Sequence, residues 1–403
     1  MKILVALPLQ HPGLNSLPSI DNVLDGTSAC SGTDGSIIRL ADFLTEAGWD
    51  VWLSAAVEIP STKFPCIKHE AVEATQFDRL VVHQSHWDGA SITFGNQFLS
   101  KTYLWLHKFT CTAFVYNFFR AGGHRVVCPS RSHANTYRSL PQWHEKVAVI
   151  YNSYSPIFTP TPEQAQPRLL FIGAITRYKG FVELMDIWSY LAQKEVNLTL
   201  AIAGSISLHK GSQKVGAMGI AEANFETNHI QPWLNTLPKT YQPDFLGALA
   251  PLQLRTEIAK SCAIIVNCSW EYKETFCVSA VEAQACDRTV FSVATGGLKE
   301  TVYQGAFNSL AQNQSIESVC NCIIQGLSAQ NTISKNGQLA GEYVRSKFSK
   351  KAIIDVWINL LSGNKSEPIL LRSWDNSLDL GRDLMRWSGA GMLIHEYRRL
   401  KSR

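Results

Sequence analysis

Short runs of consecutive apolar residues recur along the chain, separated by stretches whose apolar positions fall three and four apart. ILVAL (3–7) is the first such run and reads as a strand buried on both faces, the pattern of a parallel sheet. A glycine-containing loop follows, ending in CSGTDGS (30–36). In IIRLADFLTEAG (37–48), Ile37, Leu40, Ala41, Leu44 and Ala47 fall at helical spacing, and Gly48 marks the stop. VWLSA (51–55) is the next strand. Strand, glycine loop, helix, strand is the opening of a doubly wound sheet. RLVVHQ (79–84), TYLWLH (102–107), RVVCPS (125–130) and KVAVIYNS (146–153) are further short strands, the first two with a histidine at or next to their end.

The pattern breaks at TPTPEQAQP (159–167), which carries three prolines and almost nothing apolar, and reads as a linker near residue 163. It then restarts. RLLFIGA (168–174) is a strand, GFVELMDIWSYLAQ (180–193) a helix and LTLAIAG (198–204) a strand. PDFLGAL (243–249), AIIVNCS (263–269) and TVFSVA (289–294) continue the series. This predicts two successive α/β domains, 1–163 and 164–368, and a helical segment, 369–403, returning to the first. A membrane-surface helix is the alternative for that basic, amphipathic end, but Gly389 and Gly391 interrupt its apolar face. Residues 205–242 are polar and glycine-containing, too long for a plain connection unless they fold locally or serve a function. FTCTAFVYNFFRAGG (109–123) reads as a buried helix, with an apolar acceptor or membrane face as the alternative.

Composition narrows the class. Of 403 residues, 45% are hydrophobic and 17% charged, which describes a globular chain of two or three domains. The net charge of +4 permits an anionic ligand or membrane surface, and nothing in it calls for nucleic acid. No run reaches the roughly 18 apolar residues of a membrane span. MKILVALPL is interrupted at Pro8 and reads as a first strand, not a secretory leader. The ten cysteines are scattered without a C-x-x-C pair, which fits free thiols in a cytoplasmic protein.

The chemistry concentrates in ETFCVSAVE (274–282), between the strand AIIVNCS and the helix VSAVEAQAC (278–286). Its loop lies at the carboxyl edge of the sheet, where open α/β sheets bind ligands. A helix start near Phe276 or Cys277 offers free amides and a dipole to phosphate. Were all nine residues helical, Glu274 and Glu282 would stand about 12 Å apart along the axis. Carboxyl pairs acting on one glycosidic bond stand roughly 5–9.5 Å apart, so the two are placed instead at opposite ends of a longer ligand. In GAITRYKG (173–180), Arg177 and Lys179 lie in a strand-to-helix turn suited to a diphosphate, though a solvated turn has the same form. Gly296 and Gly297 in TGGLKE (295–300) give a backbone that can approach a ligand closely.

The order of these motifs resembles the retaining nucleotide-sugar glycosyltransferases of family four, which have the two-domain GT-B fold. NSYSPIFTP (152–160), FIGAITRYKG (171–180), FLGALAPLQL (245–254), ETFCVSAVEAQAC (274–286) and TGGLKETV (295–302) are similar, in order, to that family's motifs. The resemblance implies two Rossmann-like domains facing across a cleft, the first for the acceptor and the second for the nucleotide-sugar. It implies that Glu274 accepts from donor-sugar hydroxyls, Glu282 holds the ribose and Lys179 contacts the diphosphate. The backbone at Phe276, Cys277 and Val278, with Thr275 beside it, would do the same, and Leu249 would meet the base. Gly32 and Gly35 match the glycine loop that closes over the diphosphate, and His107 matches the histidine near the reacting sugar, ahead of His83 and His86.

Two departures stand out. Ala174 occupies the position where the family usually has an arginine, for which Arg177 is the candidate replacement, and ETFC replaces the usual Glu-Gly-Phe-Gly. The implied reaction is metal-independent transfer of a hexose, glucose from UDP-glucose before mannose from GDP-mannose. The acceptor would be a glycan or lipid-linked glycan, with UDP as product and no cofactor, at the cytoplasmic face of a membrane or in the cytoplasm. A sugar-nucleotide epimerase and a non-catalytic sugar-nucleotide-binding protein are the alternatives.

Overall fold

The structure, a computed structural model, describes residues 1–9, 19–137, 145–160, 165–206, 214–305, 308–328 and 330–363. Seven strands form the first sheet: β1 (Lys2–Ala6), β2 (Asp50–Ala55), β3 (Cys66–Lys68), β4 (Arg79–His83), β5 (Thr102–Trp105), β6 (Arg125–Cys128) and β7 (Val147–Val149). Their order is β3-β2-β1-β4-β5-β6-β7 and every pair is parallel. Six more form the second: β8 (Gln166–Ile172), β9 (Thr199–Ala203), β10 (Asp244–Gly247), β11 (Ser261–Ile265), β12 (Thr289–Val293) and β13 (Leu310–Ala311). These are also parallel, in the order β10-β9-β8-β11-β12-β13. Each expected apolar run is a strand. β3 and β13 were not expected, being three and two residues long, too short for any apolar pattern to show.

Side chains of one strand alternate between two cores. Ile3 and Val5 pack with the Gly32–Glu46 helix on one face, while Leu4 and Ala6 pack with Phe118 of the Thr112–Arg120 helix on the other. That second helix buries Val115, Phe118 and Phe119, as its run of aromatic residues predicted. The second domain has one continuous core around β8, β11 and β12, closed by Trp188 and Ile187 of the Phe181–Gln193 helix.

The chain returns to the first sheet at the Lys350–Leu361 helix, earlier than the 369–403 segment, which lies outside the described residues. Ile353, Trp357, Leu360 and Leu361 join the first-domain core, and Tyr103 Oη donates to Leu360 O at 3.3 Å. The linker expectation falls partly outside the described residues, at 161–164. Of the irregular 205–242 stretch, residues 207–213 lie outside them too. The remainder folds around Glu226, whose buried carboxylate accepts from the amides of Met218, Ile220 and Ala221. Among the described residues no helix is long and apolar enough to cross a membrane.

In both sheets strand order reverses beside the first strand of the domain, between β1 and β4 and between β8 and β11. Crevices open there at the carboxyl ends of the strands. The two crevices face each other.

Candidate functional site

The loops after β8 and β11 build one wall of the cleft. The turn after β8 ends at Gly180, which has φ +70° and opens the Phe181–Gln193 helix. A Cβ there would stand 2.5 Å from the amide nitrogen of Cys268, so only glycine lets this turn sit against the β11 loop. The contact brings Lys179 beside Glu274. Lys179 Nζ donates to Glu274 Oε1 at 2.7 Å, and Asn267 Nδ2 reaches the same oxygen at 3.1 Å. Asn267 also bonds the carbonyls of Tyr178 and Tyr272, and its Oδ1 accepts from Ser269 N at 2.9 Å, so it ties both loops together. Burial pulls the Lys179 ammonium down, but Glu274 more than offsets this and holds it above the usual lysine value.

The helix after this loop begins at Val278, slightly later than expected, with Cys277 as its cap. Cys277 brings no side-chain oxygen to the first-turn amides, which leaves them to face the cavity. Glu282 follows one turn in. Burial pushes its carboxyl up to about 7, and Arg39 of the first domain pulls against that shift. Burial also pushes the thiols of Cys30 and Cys277 up to about 12, so both line the cavity as neutral groups.

The opposite wall comes from the first domain. His107 follows β5 and is a buried residue of the cavity wall, and its Nε2 is buried without a hydrogen-bond partner. Its ring stacks on His83 at 5.6 Å and lies 4.6 Å from Trp105. Burial, with His133 and Lys108 nearby, holds this imidazole down to about 3, so it is neutral near pH 7. Asn152 is another residue of the cavity wall, and its Oδ1 is buried without a partner. Thr275, where the resemblance led to glycine, donates from Oγ1 to His107 O at 2.9 Å, a tie across the cleft.

Together these groups enclose a cavity of about 280 Å³. Of the residues expected there, His107, Lys179, Leu249, Glu274 and Glu282 line it, as does the Thr275–Val278 backbone segment. Gly32 lines it from the first domain, 3.6 Å from Val278 if given a Cβ. Three groups of expected residues lie outside the cavity lining. Arg177 does not line the cavity: it is exposed, hydrogen-bonded to His229 at 2.7 Å and set over the Phe225 ring. Gly35 does not line it either, because the helix starts at Gly32 and puts Gly35 inside its first turn, capped by Ser31. Gly296 and Gly297 pack on the β11 loop and do not line the cavity: added Cβ atoms would stand 2.3 Å from Glu274 O and 2.4 Å from Thr275 O. His86 bonds Leu7 O at 2.7 Å and His83 stacks behind His107, so neither lines the cavity.

Arg39, Asn152 and Asn267 were missed. Asn267 had a signal, a polar residue closing an apolar strand at the carboxyl edge. Arg39 had a weaker one, an arginine set between core residues of a helix. Among the described residues no group of three His, Cys, Asp or Glu side chains is arranged to hold a metal ion.

Residues 157–340 match the family described as glycosyl transferases group 1. The match spans the whole second sheet and includes Lys179, Asn267, Glu274 and Glu282. No curated protein sequence matches the chain. Several solved structures share its fold. The sucrose-phosphate synthase of Thermosynechococcus elongatus is 16% identical with a TM-score of 0.65, over 90% of this chain and 100% of that one. Anabaena HepE, solved in complex with UDP-glucose, is 15% identical with a TM-score of 0.65 over the same shares. A glycosyltransferase from Rickettsia africae ESF-5 is 16% identical with a TM-score of 0.61, over 92% of this chain and 99% of that one. The fold is therefore GT-B, two Rossmann-like domains facing across a cleft.

Proposed function

We propose that the protein is a retaining hexosyltransferase. It moves glucose from UDP-glucose to a hydroxyl of a glycan or lipid-linked glycan, in the building of envelope or extracellular polysaccharide. One observation carries this reading. A single cavity joins the Lys179–Glu274 pair, an uncapped helix start and the unpartnered Nε2 of His107, drawn from opposite sheets. The group 1 match over 157–340 supports the reaction class, and the UDP-glucose bound to HepE supports the donor.

In this reading the diphosphate lies against the helix start and Lys179, with Glu282 at the ribose and Leu249 at the base. Glu274 and His107 meet the sugar. The bond from the anomeric carbon to the diphosphate breaks as positive charge grows on the sugar. Lys179 and the amides stabilise the negative charge that departs, without a metal. Glu274 is already held by Lys179 and Asn267 and serves the sugar hydroxyls, so it is not assigned to a covalent intermediate. The acceptor hydroxyl attacks from the face the diphosphate leaves, and a phosphate oxygen takes its proton, which retains configuration.

The test is a panel of UDP-, GDP- and ADP-sugars assayed for released nucleotide with glycan acceptors. UDP-glucose should turn over fastest. Release from GDP-mannose alone would overturn the donor, and epimer formation detected by NMR without acceptor would overturn the reaction class.

A further inference from the structure

Arg39 is a buried guanidinium on the Gly32–Glu46 helix of the first domain, and it lines the cavity. Its Nη2 donates to Ser153 O at 3.0 Å and reaches Ser36 Oγ at 3.4 Å, while Nε has no partner. Burial lowers its pKa, and the carboxylate whose charge acts on it most is Glu282, from the second domain. A guanidinium taken out of water is costly unless an anion meets it, and Glu282, its carboxyl held near neutrality, is a partial partner at pH 7.

The cation count in the cavity points the same way. Among the described residues, Lys179 and Arg39 are the only lysine and arginine side chains that line it. Lys179 is shared with Glu274. The turn after β8 presents Ala174 to the cavity, and Arg177 turns away to His229. Gly35 is what makes room for Arg39: a Cβ there would stand 2.9 Å from Nη1.

We infer that Arg39 is a diphosphate-binding residue supplied by the first domain, so that the anion is held by one cation from each side of the cleft. The inference rests on the nucleotide-sugar reading given above. A planar guanidinium presents paired donors that match phosphate oxygens, and Nε of Arg39 is buried without a hydrogen-bond partner. The phosphate site is then complete only when both domains face it.

Calorimetry with inorganic pyrophosphate, UDP and uridine tests this on the wild-type chain and on Arg39→Met, Arg39→Lys and Gly35→Ala. Loss of one charge-assisted contact predicts a roughly tenfold or greater drop in pyrophosphate and UDP affinity for Arg39→Met. Arg39→Lys should recover part of it, and uridine affinity should stay within about twofold, since uridine carries no phosphate. Gly35→Ala keeps the charge but displaces the guanidinium, and should also weaken pyrophosphate; it carries the test alone if Arg39→Met fails to fold by thermal melt. Unchanged pyrophosphate affinity in these variants overturns the assignment while leaving the nucleotide reading intact. Equal loss for uridine and UDP overturns it in favour of a role at the ribose end. Wild-type protein that binds neither pyrophosphate nor UDP overturns the nucleotide reading, and this inference with it.

Discussion

Two side chains make the residue-scale predictions sharpest. Among the described residues Lys179 is the one lysine or arginine of the second domain that lines the cavity, and in the proposed mechanism its removal strips the departing diphosphate of a preorganised donor. Lys179→Ala should lower turnover of UDP-glucose by about 10²- to 10³-fold with the fold intact by circular dichroism; near-normal turnover would remove it from the mechanism. Glu282 predicts a pH dependence. Its carboxyl is raised from 4.5 to about 7 in the folded chain, so the native state holds a proton that the unfolded state has released. Stability from this site is full below about pH 4.5, falls as pH rises towards 7, and is flat above. Glu282→Gln should remove that slope and gain up to about 3 kcal/mol over wild type at pH 8, read by denaturant unfolding across pH. In the proposed donor pose the ionised form accepts from the ribose hydroxyls, so affinity for uridine, which lacks the phosphate ionising at about pH 6 in UDP, should rise through pH 7 in wild type and stay level in Glu282→Gln. Lys179, Glu274 and Glu282 could be placed from the sequence because each lies in a short motif at a strand or helix end. Arg39, Asn152 and Asn267 were not placed, because the signals at Arg39 and Asn267 do not say which distant loop the fold sets opposite them. Arg177 shows the converse: its charge fitted the motif, but its side chain found His229 instead.

At the scale of elements, apolar runs located the strands because parallel strands buried on both faces leave no other reading. Helix starts were less legible. CSGTDGS reads as a loop because glycine disfavours helix, yet Ser31 accepts from Asp34 N at 3.1 Å and also bonds its carboxylate, which begins the helix at Gly32. The turn after β12 follows the same logic of local demand. Gly296 has φ +49° and its amide neighbour, Gly297 N, donates to Glu274 O at 2.7 Å. Gly296→Ala would force a Cβ into that carbonyl and strain a left-handed backbone, at a cost of about 2 kcal/mol or more. We expect a lower melting temperature together with activity loss beyond what stability explains, since Glu274 moves with its carbonyl. Wild-type turnover in Gly296→Ala would show that this turn does not position the sugar-end carboxylate.

For the whole molecule, the contacts that hold the two domains face to face come from residues that no single-domain pattern reveals. The Lys350–Leu361 helix anchors the chain's return to the first core, and Thr275 bonds His107 across the cleft. A further tie is Glu300. Its carboxylate accepts from the amides of Arg131 at 2.9 Å and Ser132 at 2.7 Å, at the start of a first-domain helix, and from Tyr151 Oη at 3.0 Å. In the sequence Glu300 ends a glycine turn within one of the family-like motifs, and nothing there shows the tie, because its partners lie far earlier in the chain. If the cavity binds nucleotide-sugar only with the domains closed, apparent affinity scales with the closed fraction. Losing a carboxylate that serves two amides is worth about 1.5–3 kcal/mol, which shifts that fraction without touching any residue of the cavity. Glu300→Ala should therefore raise the KM for UDP-glucose by roughly tenfold or more, with kcat at saturating donor little changed. Small-angle scattering should show a larger radius of gyration for the free variant, drawn back towards the wild-type value by UDP. A variant with wild-type dimensions and wild-type KM would mean that the remaining ties, among them the Lys350–Leu361 crossing, the Thr275 contact and the Leu252 N to Gly26 O bond, hold the two sheets in register without Glu300.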